Sequence, residues 1–137
     1  QAVVKYANAG GAAIEGTIPS SDYTFLNAYV RELTLSSEER VFVTSSVRGK
    51  RISATDGILF VDICLQQMDG GAPIDVLIGS DSNYVTHNTV LDTEQTFSSS
   101  TVITGLTGTY RIGLCVWPLT TMTLKLDRLN GFILVTK

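Results

Sequence analysis

The stretch from Gly57 to Leu65, Gly-Ile-Leu-Phe-Val-Asp-Ile-Cys-Leu, constrains the fold more than any other part of the chain. Side chains alternate sides along a strand, so Leu59, Val61, Ile63 and Leu65 point one way and Ile58, Phe60, Asp62 and Cys64 the other. Both sets are apolar except for Asp62. A strand of this kind belongs in the middle of a sheet with both faces covered, because a solvated face would show an apolar/polar alternation. One face needs the domain's own core. The other needs a second covering layer or a partner subunit.

The rest of the chain fits a β architecture around that strand. Tyr29–Leu35 alternates as a half-buried strand, and Ser36-Ser-Glu-Glu39 reads as a turn. Val41–Val47 is a strand, with Arg48-Gly-Lys-Arg51 a turn or short loop after it. Met68-Asp-Gly-Gly-Ala-Pro73 is a loop signal, Ile74–Ile78 a short strand and Gly79–Asn83 a polar loop. Tyr84–Leu91 alternates again. Tyr110–Trp117 is the clearest amphipathic strand: Tyr110, Ile112, Leu114 and Val116 share one face, Arg111, Gly113, Cys115 and Trp117 the other. Pro118 ends it. Thr121–Asp127 is a further strand, and Phe132–Val135 is a second wholly apolar one. About ten short strands, turn signals between them and no convincing helix predict an all-β antiparallel sandwich. A chain of 137 residues makes this one domain. Residues 22–137 form that domain, and residues 1–21, rich in Ala and Gly, are expected to be a tether or a loosely held edge, with a short strand possible at Ala13–Ile18.

Composition narrows the function. The formal net charge is −3 and only 17% of residues are charged, against 44% hydrophobic. Nucleic acid is not an expected partner, since phosphate binding needs clustered Lys and Arg. No apolar run reaches the roughly 18 residues of a membrane span, so no membrane insertion is expected. The apolar remainder favours an oligomer. A start at Gln1 without Met suits a processed chain or a piece of a longer one, so the missing leader says nothing about secretion. Cys64 and Cys115 both lie in strand-like segments. Two buried thiols are the plainer reading, and a disulfide between neighbouring strands is the alternative.

Two short motifs carry a resemblance. Gly108-Thr-Tyr110 leads into the late amphipathic strand, and Gly131-Phe-Ile-Leu134 forms the closing one. With the central apolar strand and about ten strands in all, the arrangement from Tyr23 to Lys137 resembles the C1q and tumour-necrosis-factor jelly rolls. It is also similar to the TNF-like trimeric lectin domains of some bacteria. It departs from the C1q pattern ahead of the central strand, where no run rich in Phe and Tyr occurs. The resemblance implies a jelly-roll sandwich whose apolar residues fill a threefold seam in a homotrimer. It places Phe60, Tyr110 and Phe132 at that seam.

Catalytic and metal chemistry find little support in the sequence. A hydrolase needs a nucleophile, a base and an orienting acid. The single histidine, His87, lies on a strand expected to be half exposed, and no Gly-x-Ser-x-Gly elbow is present. Cysteines within apolar strands are poor nucleophiles because burial disfavours the thiolate. No close His/Cys spacing suits zinc, and Asp81-Ser-Asn83 begins like a calcium loop without the acidic residue that should follow. Glu38, Glu39, Asp92 and Glu94 lie in turn-like surroundings and read as solvated carboxylates. No metal or cofactor is expected, and the protein is expected not to be an enzyme.

Binding residues are the stronger candidates. Trp117, at a strand end beside Pro118 and on one face with Arg111, can stack on the apolar face of a sugar ring or anchor a protein partner. Core or interface packing is its plainer reading. Asp81, Asn83, Tyr84 and His87 gather groups that hydrogen-bond vicinal hydroxyls, or else form an ordinary polar loop. Arg48, Lys50 and Arg51 suit an acidic ligand but read more simply as a solvated turn. The expectation is a homotrimeric, non-enzymatic recognition head, extracellular or on a cell or virion surface. Its ligand is a glycan, bound as a lectin binds it. The alternative is a surface protein, with the domain as the structural or protein-binding head of a fibre or collagen-like stalk.

Overall fold

The computed structural model describes residues 2–53, 55–75, 78–79 and 84–137. Among them the period-2 segments form thirteen strands and no helix. They are β1 (Val3–Asn8), β2 (Gly16–Ile18), β3 (Thr24–Phe25), β4 (Glu32–Leu35), β5 (Arg40–Ser53), β6 (Ile58–Asp69), β7 (Ala72–Pro73), β8 (Ile78–Gly79), β9 (Val85–Asn88), β10 (Gln95–Thr104), β11 (Gly108–Pro118), β12 (Met122–Leu126) and β13 (Asn130–Thr136). All the strand pairs are antiparallel, and they build two sheets.

In sheet I, β5 is central. It has β10 on one edge, β13 and β12 end to end along the other, and β1 and β2 beyond those. In sheet II, β6 and β11 form the centre. The short strands β7, β8 and β9 line the free edge of β6, and β3 and β4 line that of β11. The chain therefore pairs from its ends inward: β1 with β13, β4 with β11, β5 with β10 and β6 with β9. That is one long antiparallel ladder. Rolling it up brings β13 against β5 and β11 against β6, which is the jelly-roll form of the sandwich. The predicted all-β sandwich is the observed fold.

The core lies between the sheets and follows the predicted alternation. Sheet I contributes Val41, Val43, Val47, Phe97, Leu124, Ile133 and Val135, and sheet II Leu59, Val61, Ile63, Ile112, Leu114 and Val116, all buried. Burying each of these side chains contributes about 1.5–3 kcal/mol before conformational entropy is set against it.

Three local expectations change or narrow. The segment expected as a tether or a loosely held edge is an edge with anchored side chains: β1 is hydrogen-bonded along β13 at the end of its sheet, and Ala7, Ala9 and Ile18 are buried. Arg48-Gly-Lys-Arg51 does not turn, and β5 runs on to Ser53. Gly49 is needed there for clearance, because a Cβ would meet the Lys125 carbonyl oxygen at 2.5 Å as β12 passes. The Gly70-Gly71 loop is a tight two-residue hairpin turn. Both glycines have positive φ, 58° and 83°, as the right-handed twist of the flanking strands requires.

Candidate functional site on the outer face of sheet II

The outward residues of β6 and β11 are the set that needed a second cover. Register places Phe60 opposite Trp117, Asp62 opposite Cys115 and Cys64 opposite Gly113. Cys64 and Cys115 are therefore diagonal neighbours, and they are joined as a disulfide with Cα atoms 5.7 Å apart. Of the two readings left open for these cysteines, the bonded one holds. Both cysteines and Asp62 are buried although they lie on the outer face of a sheet.

Their cover is the chain itself. Phe25 pairs beside Cys115, and a Cβ on Gly113 would sit 3.4 Å from Val30 and 3.6 Å from Phe25. On the β6 side, a Cβ on Gly79 would lie 2.5 Å from an Asp62 carboxylate oxygen and 3.1 Å from the Tyr23 ring. Glycine at that position lets strand β8 close over the carboxylate. The Tyr23 hydroxyl donates a hydrogen bond to Asp62, and its pKa is raised, first by burial and then by the charge of Asp62.

Beyond this cover the face stays open as an aromatic pocket of about 430 Å³, lined by Ser20, Tyr23, Phe60, Tyr84, Trp117 and Leu119. Two edge-to-face pairs build it. Tyr23 and Trp117 have centroids 5.4 Å apart and planes at 72°, and Phe60 and Tyr84 lie 5.5 Å apart at 87°. The Trp117 indole Nε1–H donates to the Ser20 carbonyl at 2.7 Å, which fixes the ring while leaving it 37% exposed. The pocket is preorganised, so little side-chain entropy would be lost when a ligand enters.

The structure brings only some of the predicted binding residues together. Tyr84 and Trp117 share the pocket. Phe60, expected at a subunit seam, joins them there. Tyr23 was not foreseen: it precedes any clear strand pattern, and only the pairing of β3 with β11 shows its position. Asp81 and Asn83 lie outside the described residues. His87 is turned inward opposite Leu59, with its ring 5.1 Å from that of the buried Phe97. Burial lowers its pKa below the ordinary 6.5. Arg111 stands six residues from Trp117, about 20 Å along the strand, and faces Glu32 at 3.8 Å.

The three predicted seam residues do not share a surface. Phe60 is in the pocket, Tyr110 packs inward against the core, and Phe132 lies on the outer face of sheet I. None of the described residues covers that second face. Val102, Phe42, Leu134 and Tyr6 form a cross-strand row over all four strand positions of sheet I, with Phe132 beside it. Tyr6 is 66% exposed, and a shallow trough of about 410 Å³ runs along Phe42, Val102, Phe132 and Leu134.

Two charged groups are less solvated than the sequence suggests. Glu39 is covered by Lys5, whose Nζ lies 3.0 Å from its carboxylate, and by the Ser36 backbone N–H at 2.8 Å. These bonds, that from Lys5 first, lower its pKa. Arg51 is buried, and its guanidinium donates to the Thr89 hydroxyl at 2.9 Å. By contrast, Glu38, Asp92 and Glu94 make loose pairs of 3.3–3.6 Å with Lys137, Lys50 and Arg48, as solvated carboxylates do.

No protein-family profile matches the chain. No curated protein matches it. Among solved structures, the "Structure of infectious bursal disease virus Gx strain" aligns over 96% of this chain with 11% identity and a TM-score of 0.48. This chain spans 31% of the length of that one.

Proposed function

We propose that the protein is a non-enzymatic recognition head that binds a carbohydrate ligand in the aromatic pocket of sheet II. The carrying observation is the Trp117 indole, oriented by its bond to Ser20 and walled by Tyr23, Phe60 and Tyr84. Sugar rings present apolar C–H faces that stack on such side chains, and the Tyr84 hydroxyl supplies a polar group at the rim. Polar residues 80–83 directly precede Tyr84 in sequence and are candidates for the hydroxyl contacts. The Cys64–Cys115 disulfide supports an extracellular or cell- or virion-surface setting, because such bonds persist in oxidising compartments.

The homotrimer is part of the same proposal, as is kinship to the C1q and tumour-necrosis-factor jelly rolls. The open row of sheet I supports self-association, since an uncovered apolar face of this breadth is unusual on a monomer. Three heads joined through it would gain avidity from separately shallow sites. The same row favours the second reading, a structural or protein-binding head of a fibre. The two readings assign different faces to the main partner. A glycan array, followed by titration of the emission of the lone tryptophan, separates them. Glycan binding that shifts Trp117 emission and is lost in Tyr84→Ala supports the lectin reading. A protein that binds no glycan and loses its partner in Phe132→Ser supports the alternative.

A further inference from the structure

The walls of the aromatic pocket have a geometry that plain sugar stacking does not need. In each edge-to-face pair the two rings stand nearly at right angles, so each pair forms a corner. Phe60 and Trp117 are direct partners across β6 and β11, which sets the two corners side by side. The result is a pocket walled by four aromatic rings set in differing orientations. Ring faces carry the negative part of the aromatic quadrupole, so a box of them is suited to a cation that is large, weakly hydrated and without directional hydrogen bonds.

Charge around the box agrees. Among the described residues, no Lys or Arg lines it. Asp62 lies behind Tyr23, whose hydroxyl it holds by a hydrogen bond, and it is buried. Asp22 immediately precedes Tyr23, and its carboxylate accepts the Tyr23 backbone N–H at 2.8 Å. Asp56 sits at the start of the β6 segment, whose Ile58 carbonyl accepts the Leu119 N–H at 3.0 Å. A buried carboxylate acts through a medium of low dielectric constant, so its field at the pocket is less screened than that of a surface acid.

We propose that the box formed by Tyr23, Phe60, Tyr84 and Trp117 binds a quaternary ammonium group, such as the trimethylammonium of choline, carried as a substituent on the glycan ligand. This rests on the reading of the pocket as the recognition site and adds the chemical class of the group that enters it. The methyl groups fill the apolar volume, and the charge, spread over them, meets the ring faces and the field of Asp62.

The test is a titration of Trp117 emission with choline and with its uncharged carbon isostere, 3,3-dimethylbutan-1-ol. Choline is expected to saturate, and the alcohol to need at least about tenfold higher concentration. Equal affinity for the two, or no saturable response to choline, overturns the proposal. If choline fails while a neutral glycan saturates, the ammonium inference falls and the recognition reading stands. If neither produces a response, both fall. Tyr84→Leu, at an exposed position, should weaken choline about tenfold without lowering the melting temperature. Asp62→Asn should weaken choline and leave the alcohol unchanged, and should that variant unfold, Tyr84→Leu still decides. Phosphatidylcholine vesicles and a choline-substituted glycan, compared at equal choline, distinguish the sources of the group. Retention of the glycan supports the proposal, and preference for the vesicles overturns the glycan-borne part of it.

Discussion

The two outer faces of this sandwich both carry apolar residues and have opposite fates. On sheet II the chain folds back over its own strands. Tyr23, Phe25, Val30 and Gly79 lie over Asp62 and the disulfide, leaving an aromatic pocket at one end. On sheet I nothing among the described residues covers Phe42, Leu134 and Val102, and Tyr6 and Phe132 stand exposed beside them. An apolar outward strand face therefore does not by itself announce a partner. What decides is whether the chain has a segment left to lay over it. The stretch between β2 and β4 supplies one for sheet II, and none of the described residues does so for sheet I.

Breaking the cover of sheet II should cost far more than altering the open face. The largest effect is expected from the disulfide, which closes a separation of 51 residues. Its loss in Cys64→Ala/Cys115→Ala should lower stability by about 4 kcal/mol on the chain-entropy estimate, read as the urea midpoint. Gly79→Ala should come next, at about 1–3 kcal/mol, because its Cβ would lie 2.5 Å from the Asp62 carboxylate. If Gly79→Ala is neutral, the tight closure over Asp62 is wrong. On sheet I, Phe42→Ser and Phe132→Ser should each shift stability by no more than about 1 kcal/mol. The same two changes should lower the solution mass from a trimer toward a monomer by light scattering. A wild-type mass of one chain would remove self-association from the account.

The smallest effects are those of pH, and they mark the interior and the rim. Burial holds the pKa of His87 below its unfolded value of 6.5. Its contribution is therefore fully present above about pH 6.5 and is lost as pH falls through the lower folded value. His87→Leu should flatten the urea midpoint between pH 7 and pH 5, whereas an unchanged slope would put His87 in solvent. Glu39, lowered by Lys5, contributes above its ordinary value of 4.5 and is lost as pH falls through its folded value. Lys5→Met should remove that part of the acid sensitivity and leave the His87 part in place.

The sequence made the strands legible and left most of the site hidden, for a physical reason. Alternation is a local property, so the inward faces of β6 and β11 could be read residue by residue and are the faces observed. Register is not local. Nothing in the separate strands says that Phe60 stands opposite Trp117, or that Cys64 and Cys115 fall on a diagonal close enough to bond. Trp117 and Tyr84 were found by residue type, but Phe60 was assigned to a seam because its strand neighbours were unknown. Tyr23 lies far from Trp117 in sequence and directly precedes a two-residue strand, Thr24–Phe25, that has no periodic signal. His87 was grouped with the binding residues because the alternation of Tyr84–Leu91 separates two faces without saying which is inward. Gly49 misled in the opposite sense: a glycine between Arg48 and Lys50 looks like a turn, and only the nearness of β12 shows that it serves close packing.

The division of labour between the two faces is tested most directly by following side-chain resonances while the best-binding glycan is titrated. Trp117 contributes a single indole N–H signal, and the aromatic signals of Tyr84 and Phe60 report the same pocket. The account predicts that these three shift saturably while Tyr6, Phe42 and Phe132 do not. Shifts confined to Tyr6, Phe42 and Phe132, with the Trp117 indole signal unmoved, would contradict it and place recognition on sheet I.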